Sequence, residues 1–458
     1  MSPRRRAFAT FRTLWLAPSL LAAACGTETL ATDTDDTTDD VAPDASGPDA
    51  APPFELDMFG TAGNTYRFDV TPAQAQLMDS GQFGGPIFND AFGCCGDPYE
   101  VGGGGVGEAY TYADDLTITT VGGQSKTFGK MAVWTVGQST FRPWSGIPNI
   151  RVDTGKVEDG LKIDGFEDFR FNNGQVGGIY REAIALRLWD AMGYATPETT
   201  FAWVEAPQQW GEDRVPMTQV EVYKHKWCDR EIPGGCVNLW ESVGEPFYFG
   251  GDPSACQVDQ CDGTRLNDLQ NVVNTTPFGP GYTAALSSFV DWDKFRDFMC
   301  LSWISNTGDD YVHNNNNVVV VERDDGRIQL HPYSVDISAA QEWYPNTPLM
   351  GTSTFARGCQ TDPECWDALL VRCDEMLDQY DTLDVPATIV QPVLDMVESN
   401  GMMRAGDDER AAFVLDWYTS RADKLRTDEV WNVTPCLDDT GCAAQEYCDQ
   451  WSQRCYPN

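Results

Sequence analysis

The chain has 458 residues, 41% of them hydrophobic, and a formal net charge of −39 from 70 acidic and 31 basic side chains. That length and apolar content can bury one large core or two moderate ones. The negative charge repels phosphate backbones and anionic lipid surfaces, which argues against nucleic acid as a partner and against a membrane as an electrostatic one.

Residues 1–24 read as an export signal. Arg4, Arg5 and Arg6 form a basic start, and the apolar run Thr13 to Ala24 is too short to span a bilayer as a mature helix. The run ends in Leu21-Ala22-Ala23-Ala24-Cys25-Gly26, which resembles a bacterial lipobox, with Leu21 one place further from the cysteine than is usual. Arg5-Arg6-Ala7-Phe8 also resembles a twin-arginine signal. The expectation is an exported lipoprotein at the cell envelope or surface, in contact with membrane only through a lipid on Cys25. Residues 25–57, including "TDTDDTTDDVAPDASGPDAAPP", lack Lys and Arg and cannot bury enough apolar surface to offset chain entropy, so they read as a disordered tether.

Cysteine usage fits that compartment. Lipid on Cys25 leaves fourteen of the fifteen cysteines, an even number suited to disulfides in an oxidising space. The absence of C-x-x-C speaks against zinc ribbons and thioredoxin-like sites, and His225, His313 and His331 are too few for a His-rich metal site.

From about Met58, strand-like runs follow one another: "TYRFDV", "DDLTITTV", "MAVWTV" and "IPNIRVD". Between the first two, Gly102, Gly104 and Gly107 match G-x-G-x-x-G, but without a strand–turn–helix context they read as a loop. The pair Cys94-Cys95 stands just ahead of them. Tyr180, Ile184, Leu188, Ala191 and Met192 then recur on one helical face, with Arg187 and Asp190 opposite, predicting an amphipathic helix that ends near Gly193. The strands "TTFAWVEA" and "MTQVEVYK" come next, followed by a Cys- and Gly-containing insertion from about Trp227 to Gly281. "WDKFRDFMCLSWIS" reads as a helix. Beyond Ser338 helices are expected near 364–380, 386–399 and 407–426, and residues 431–458 carry Cys436, Cys442, Cys448 and Cys455 as a small disulfide-stapled tail.

The densest chemistry lies in "SNTGDDYVHNNNNVVVVERDDGRIQLHPYSVDIS", Ser305 to Ser338. A helix runs into Asp309, an Asn-rich loop follows, and a hairpin of Val318–Glu322 and Arg327–Tyr333 leads to Asp336. Protein kinases arrange their catalytic residues in this order: an Asp that orients the substrate hydroxyl, an Asn that holds a metal, and a second metal-binding Asp. Hard divalent cations select these carboxylate and amide oxygens. The plainer alternative is a polar turn with an Asn-rich tip.

Two blocks extend the pattern. "DFRFNNGQVGGIYREAIALRLWDAMGYATPETTFAWV" and "VDWDKFRDFMCLSWISNTGDDYVHNNNNVVVVERDDGRIQLHPYSVDIS" resemble, in the same order, two motif blocks of the CotH (spore coat protein H) kinase-like family, and the resemblance covers roughly Thr65 to Leu425. It implies an α+β, atypical protein-kinase-like two-lobed fold over residues 58–430, with a strand-rich N-terminal part and a helical C-terminal part, ahead of the Cys-rich tail at 431–458. It implies ATP with Mg²⁺ or Mn²⁺ as cofactors, Asp309 as the catalytic Asp, and Asn316, Asn317 and Asp336 as metal ligands. Asn314, at the ordinary kinase spacing from Asp309, is a rival ligand. Glu182 matches the family's Arg-Glu pair and would hold a nucleotide-facing cation; the alternative is an exposed Glu favoured at a helix N-terminus.

The chain departs from the family at one position. Ile147 or Pro148 stands where a phosphate-contacting Lys is usual, which leaves Arg151 or Arg142 as the substitute, with a guanidinium in place of an ammonium. Two functions follow. One is a kinase transferring phosphate from ATP to Ser or Thr of surface or envelope proteins. The other is a catalytically weak kinase-like fold serving as a surface-binding or structural lipoprotein. A hydrolase ranks third, since neither Gly-x-Ser-x-Gly nor a His-bearing triad occurs.

Overall fold

Strands in the N-terminal half alternate in a way that decides the architecture. In "DFRFN", Phe169 and Phe171 point into one core while Asp168, Arg170 and Asn172 take the opposite face, and all five side chains are buried. "NIRVD" repeats the pattern, with Ile150 and Val152 in the core and Asn149, Arg151 and Asp153 opposite. Strands of this kind need cover on both faces.

The computed structural model describes most of residues 54–427, apart chiefly from 84–100, 103–107, 137–141, 243–255 and 340–350, together with short pieces between 440 and 457. The export signal, the Cys25 anchor, most of the acidic tether, the Cys94-Cys95 pair and the centre of the Gly-rich loop lie outside the described residues. Among those described, one sheet comprises β1 (Asn64–Asp69), β2 (Val101–Gly102), β3 (Glu108–Ala113), β4 (Asp115–Thr119), β5 (Ser125–Thr127), β6 (Met131–Val136), β7 (Asn149–Asp153), β8 (Asp168–Asn172), β9 (Thr199–Glu205) and β10 (Arg214–Glu221). Their order is β2-β3-β6-β7-β8-β10-β9-β1-β4-β5, antiparallel except for β1 against β9. The helix α1 (Pro72–Phe83) was not expected from the sequence.

The helix α2 (Tyr180–Ala191) covers the polar face of β8. Its first seven residues are all buried, so it is not the half-wet amphipathic helix that its apolar spacing suggested; Asp190 alone is exposed. The chain turns from β8 into α2 through Gly174, at φ +63°, where a Cβ would lie 2.5 Å from the Ile179 nitrogen.

Beyond α3 (His225–Glu231), the Cys-containing insertion contributes a strand, β11 (Asn238–Ser242), and a helix, α4 (Thr264–Thr275), neither of which its sequence announced. The helix α5 (Trp292–Ser305) and the short α6 (Tyr311–Asn314) precede the hairpin of β12 (Val318–Glu322) and β13 (Ile328–Pro332), and β11 pairs with β12. The four valines of β12 are buried on both faces: Val318 and Val320 join the helical core, Val319 and Val321 a smaller cluster with Trp227 and Leu239. After the hairpin come α7 (Thr354–Thr361), α8 (Pro363–Leu383), a π-helical turn at Pro386–Val390 that leads into α9 (Gln391–Ser399), α10 (Asp407–Thr419) and α11 (Arg421–Thr427). The fold is thus α+β, strand-rich before α2 and helical after β13, with a terminal hairpin of β14 (Glu446–Asp449) and β15 (Arg454–Pro457).

Disulfides join Cys228–Cys236, Cys256–Cys261, Cys300–Cys373 and Cys359–Cys365, and Cys442 is also disulfide-bonded. That usage matches a protein folded outside the reducing cytoplasm. Among the described residues, no helix is long and apolar enough to cross a membrane.

Candidate functional site

The polar face of β8 meets the first turn of α2. Arg170 Nη2 donates to Glu182 Oε1 at 2.6 Å, and Asn172 Nδ2 donates to Glu182 Oε2 at 3.0 Å. Glu182 is 1% exposed, which rules out an exposed helix-start Glu. Burial is the largest influence and opposes the Arg170 charge, but Glu182 together with Tyr333, Glu241 and Asp336 outweighs it and holds the guanidinium above its ordinary pKa. The guanidinium also lies 4.5 Å from the centre of the Tyr333 ring, and its Nε has no hydrogen-bond partner among the described residues.

Asp336 joins this pair from the hairpin. Val335 packs with Ala185, Leu186 and Val220, and so seats the turn after β13 on α2. Ser338 Oγ donates to the Arg181 carbonyl at 2.8 Å, and the Ala339 N–H donates to the Ser305 carbonyl at 2.9 Å. Burial and the nearby Glu182 carboxylate push the half-buried Asp336 carboxyl up to about 7, against the pull of Asn172 and Arg170.

Asp309 and Asn317 form the second group. Asn317 Nδ2 donates to the Asp309 carbonyl at 2.8 Å and to its Oδ2 at 3.2 Å, leaving Asn317 Oδ1 with lone pairs for a cation. Val318 pairs with Pro332, so Asn317 and the turn to Asp336 leave the same end of the hairpin. Asn316, and the side chain of Asn314, lie outside the described residues. The asparagines also have a backbone role: Asn306, Asn315 and Asn317 take left-handed φ of 48°, 52° and 45°, a conformation that Asn tolerates better than most residues. Part of the Asn-rich tip is therefore turn chemistry.

The neighbouring Asp310 is a structural anchor. It caps α6 through the His313 N–H at 2.9 Å, and accepts from the hydroxyls of Ser302 and Thr307. Burial alone would raise its carboxyl, but the His313 ring and those hydroxyls outweigh it and bring it down to about 2.

Arg151 sits directly across from Arg170 in the β7–β8 register, and Trp134 is next in the same row. Arg151 is buried and locked: Nε contacts both Asp168 oxygens at 3.0 and 3.1 Å, Nη2 lies 2.5 Å from Oδ2, and Gln257 Oε1 and Glu241 complete its shell. Arg142 instead donates to Gln175 at an exposed position. Lys224, just before α3, reaches the same Asp168 at 3.9 Å. Sequence reading assigned no role to Asp168, Arg170, Asn172 or Lys224. The available signal was the alternation of "DFRFN", a strand with buried polar residues on one face.

Among the described residues, no group of three or more His, Cys, Asp or Glu side chains is arranged to hold a metal ion. A cation here would need amide oxygens as well as carboxylates. The donor chemistry fits a hard divalent ion: Asp336 offers a carboxyl beside Glu182 and Asn172, and the Asn317 amide oxygen leaves from the same hairpin end.

No family model matches the chain, and neither does any curated protein. Among solved structures it is similar to the crystal structure of a Helicobacter pylori proinflammatory kinase, CtkA, at 11% identity and a TM-score of 0.30, covering 58% of this chain and 94% of that one. At that level of likeness nothing about activity passes to this chain.

Proposed function

We propose that this chain is an exported phosphotransferase of the CotH kinase-like family, which transfers phosphate from ATP to Ser or Thr of surface or envelope proteins with Mg²⁺ or Mn²⁺. One observation carries the reading: a strand cation, Arg170, is paired with a helix carboxylate, Glu182, and an Asp from the following hairpin arrives beside that pair. Protein kinases need this combination, a strand Lys paired with a helix Glu and a post-hairpin Asp that holds Mg²⁺. In this chain Arg170 takes the part of the strand cation. A guanidinium has a wider, planar donor fork than an ammonium, so it can hold Glu182 and still present N–H groups elsewhere.

The divalent ion would be held by Asp336 and Asn317, and when bound it would neutralise phosphate charge. Asp309, fixed by Asn317, would orient the acceptor hydroxyl and take its proton. A non-catalytic surface-binding lipoprotein is the second reading. It is favoured by the buried Arg151–Asp168 pair, which spends a cation of the site on an internal carboxylate.

Calorimetric titration of the purified chain with ATP, with and without Mg²⁺ or Mn²⁺, tests the proposal. Binding should require the cation, and Asp336→Ala should abolish it. Asp309→Ala should keep the affinity and remove phosphoryl transfer to a Ser/Thr protein, because orienting the nucleophile is a transition-state task. A wild-type chain that binds no nucleotide with any divalent ion would leave the binding-protein reading standing alone.

A further inference from the structure

The charged face of the sheet holds three cations, Arg151, Arg170 and Lys224, which interact with five carboxylates, Asp153, Asp168, Glu182, Glu241 and Asp336. The three cations differ in how firmly they are held. Arg151 and Arg170 each contact a carboxylate at hydrogen-bond distance, and their side chains are only 4% and 9% exposed. Extracting either would strand a buried carboxylate, a costly step. Lys224 is different: its ammonium is 3.9 Å from Asp168 Oδ2, outside hydrogen-bond reach, and its side chain is 33% exposed.

The backbone beneath Lys224 is fixed. Tyr223 stacks edge-on against Trp227 and donates from its hydroxyl to the Pro332 carbonyl at 2.5 Å, which ties this position to the end of β13. The Lys224 carbonyl accepts the Cys228 N–H at 3.1 Å, and Cys228 is itself stapled to Cys236. A rigid base therefore carries a flexible four-carbon stem whose charge lies beside Asp168, on the same strand face as Arg170 two residues along, without a close partner among the described residues. Burial pulls the Lys224 pKa down, only partly offset by Asp168, so the ammonium gains from an additional anion.

We propose that Lys224 is the phosphate ligand of this site: its ammonium turns from Asp168 to the anionic phosphate chain of a bound nucleoside triphosphate–cation complex. The assignment rests on the phosphotransferase reading above. It also accounts for the chain's lack of a Lys at Ile147 or Pro148, since the ammonium comes from the segment after β10 instead of the turn before β7. Arg151 keeps Asp168 oriented, and Asp168 gives Lys224 a resting partner.

The test measures Mg²⁺–ATP, Mg²⁺–tripolyphosphate and adenosine binding by the full chain, as wild type, Lys224→Met and Lys224→Arg. Lys224→Met should weaken both phosphate ligands about tenfold or more, leave adenosine binding unchanged, and preserve the thermal midpoint. Lys224→Arg should recover part of the lost affinity. In parallel, amine labelling of the wild type with trinitrobenzenesulfonate, mapped by peptide mass spectrometry, should modify Lys224 and be blocked by Mg²⁺–ATP. This second measurement decides the matter if Lys224→Met unfolds. Undiminished ATP affinity in folded Lys224→Met, or labelling that ATP does not block, would overturn the role of Lys224 while leaving the phosphotransferase reading intact. Should the wild type bind neither phosphate ligand, both fall together. Loss of ATP binding with tripolyphosphate binding retained would also count against Lys224, since it would place the defect at the nucleoside.

Discussion

Asp310 accepts from Ser302, Thr307 and His313, while its neighbour Asp309 accepts from Asn317 at the entrance to β12. One position in the chain separates an anchor from the candidate catalytic group, and environment alone assigns the roles. The same holds at Arg170 and Glu182, where the pair is buried and each partner is the other's main compensation. Arg170→Met alone should therefore cost about 3–5 kcal/mol of stability, because Glu182 stays behind as a buried charge with only Asn172 to satisfy it. Adding Glu182→Gln should return much of that loss, and urea unfolding of the two singles and the double mutant measures the coupling. Purely additive losses would mean that the pair does not act as a unit.

Among elements, α5 works as the spine of the site. Its end is capped by the left-handed Asn306, and the buried Arg421 guanidinium binds the carbonyls of Trp303 and Ile304. Its middle is joined to α8 by Cys300–Cys373, which closes a loop of 73 residues, whereas Cys256–Cys261 closes one of five beside Gln257. Loop-closure entropy predicts about 4 kcal/mol for the long staple and about 2 kcal/mol for the short one. Replacing each cysteine pair by Ala in separate variants should reproduce that order in chemical denaturation. Removing the short staple should also loosen the Arg151 environment, since Gln257 lies inside its loop and contacts Arg151. Equal losses would show that strain or residual unfolded structure dominates over loop length.

For the whole molecule, Phe54–Asn458 form one unit in which the sheet and the helices hold each other. Arg404, between α9 and α10, donates to the carbonyls of Asn173 at 2.8 Å and Pro216 at 2.6 Å, so the helical part clasps the strand ends that carry Asn172 and the site. Phe54 and Leu56 pack against the sheet's core, whereas residues 1–53 are acidic, Pro-rich or signal-like in composition. A chain starting at Phe54 should therefore keep the thermal midpoint of the full protein to within ~2 °C, as expected for removal of a segment whose composition cannot build a core. Calorimetry of the two forms checks this, and a larger drop would mean that the leading residues dock on the domain.

Local pattern carried much of the outline. Trp292–Ser305 is a helix over the predicted residues, and Val318–Glu322 is a strand, because a long apolar periodicity and a β-branched run each admit one economical structure. The order of Asp309, Asn317 and Asp336 around a hairpin was also legible, since those residues are close in sequence and the turn at Asp324-Asp325-Gly326 is local. The strand and helix inside the Cys-rich insertion were not legible, because β11 exists through its pairing with β12, some eighty residues away in sequence. The roles of Arg170, Arg151 and Lys224 were equally hidden. A cation in sequence is only a charge; whether it is locked in a buried pair or left with a loose partner depends on which carboxylates distant strands and helices bring to it, and on how much water they exclude.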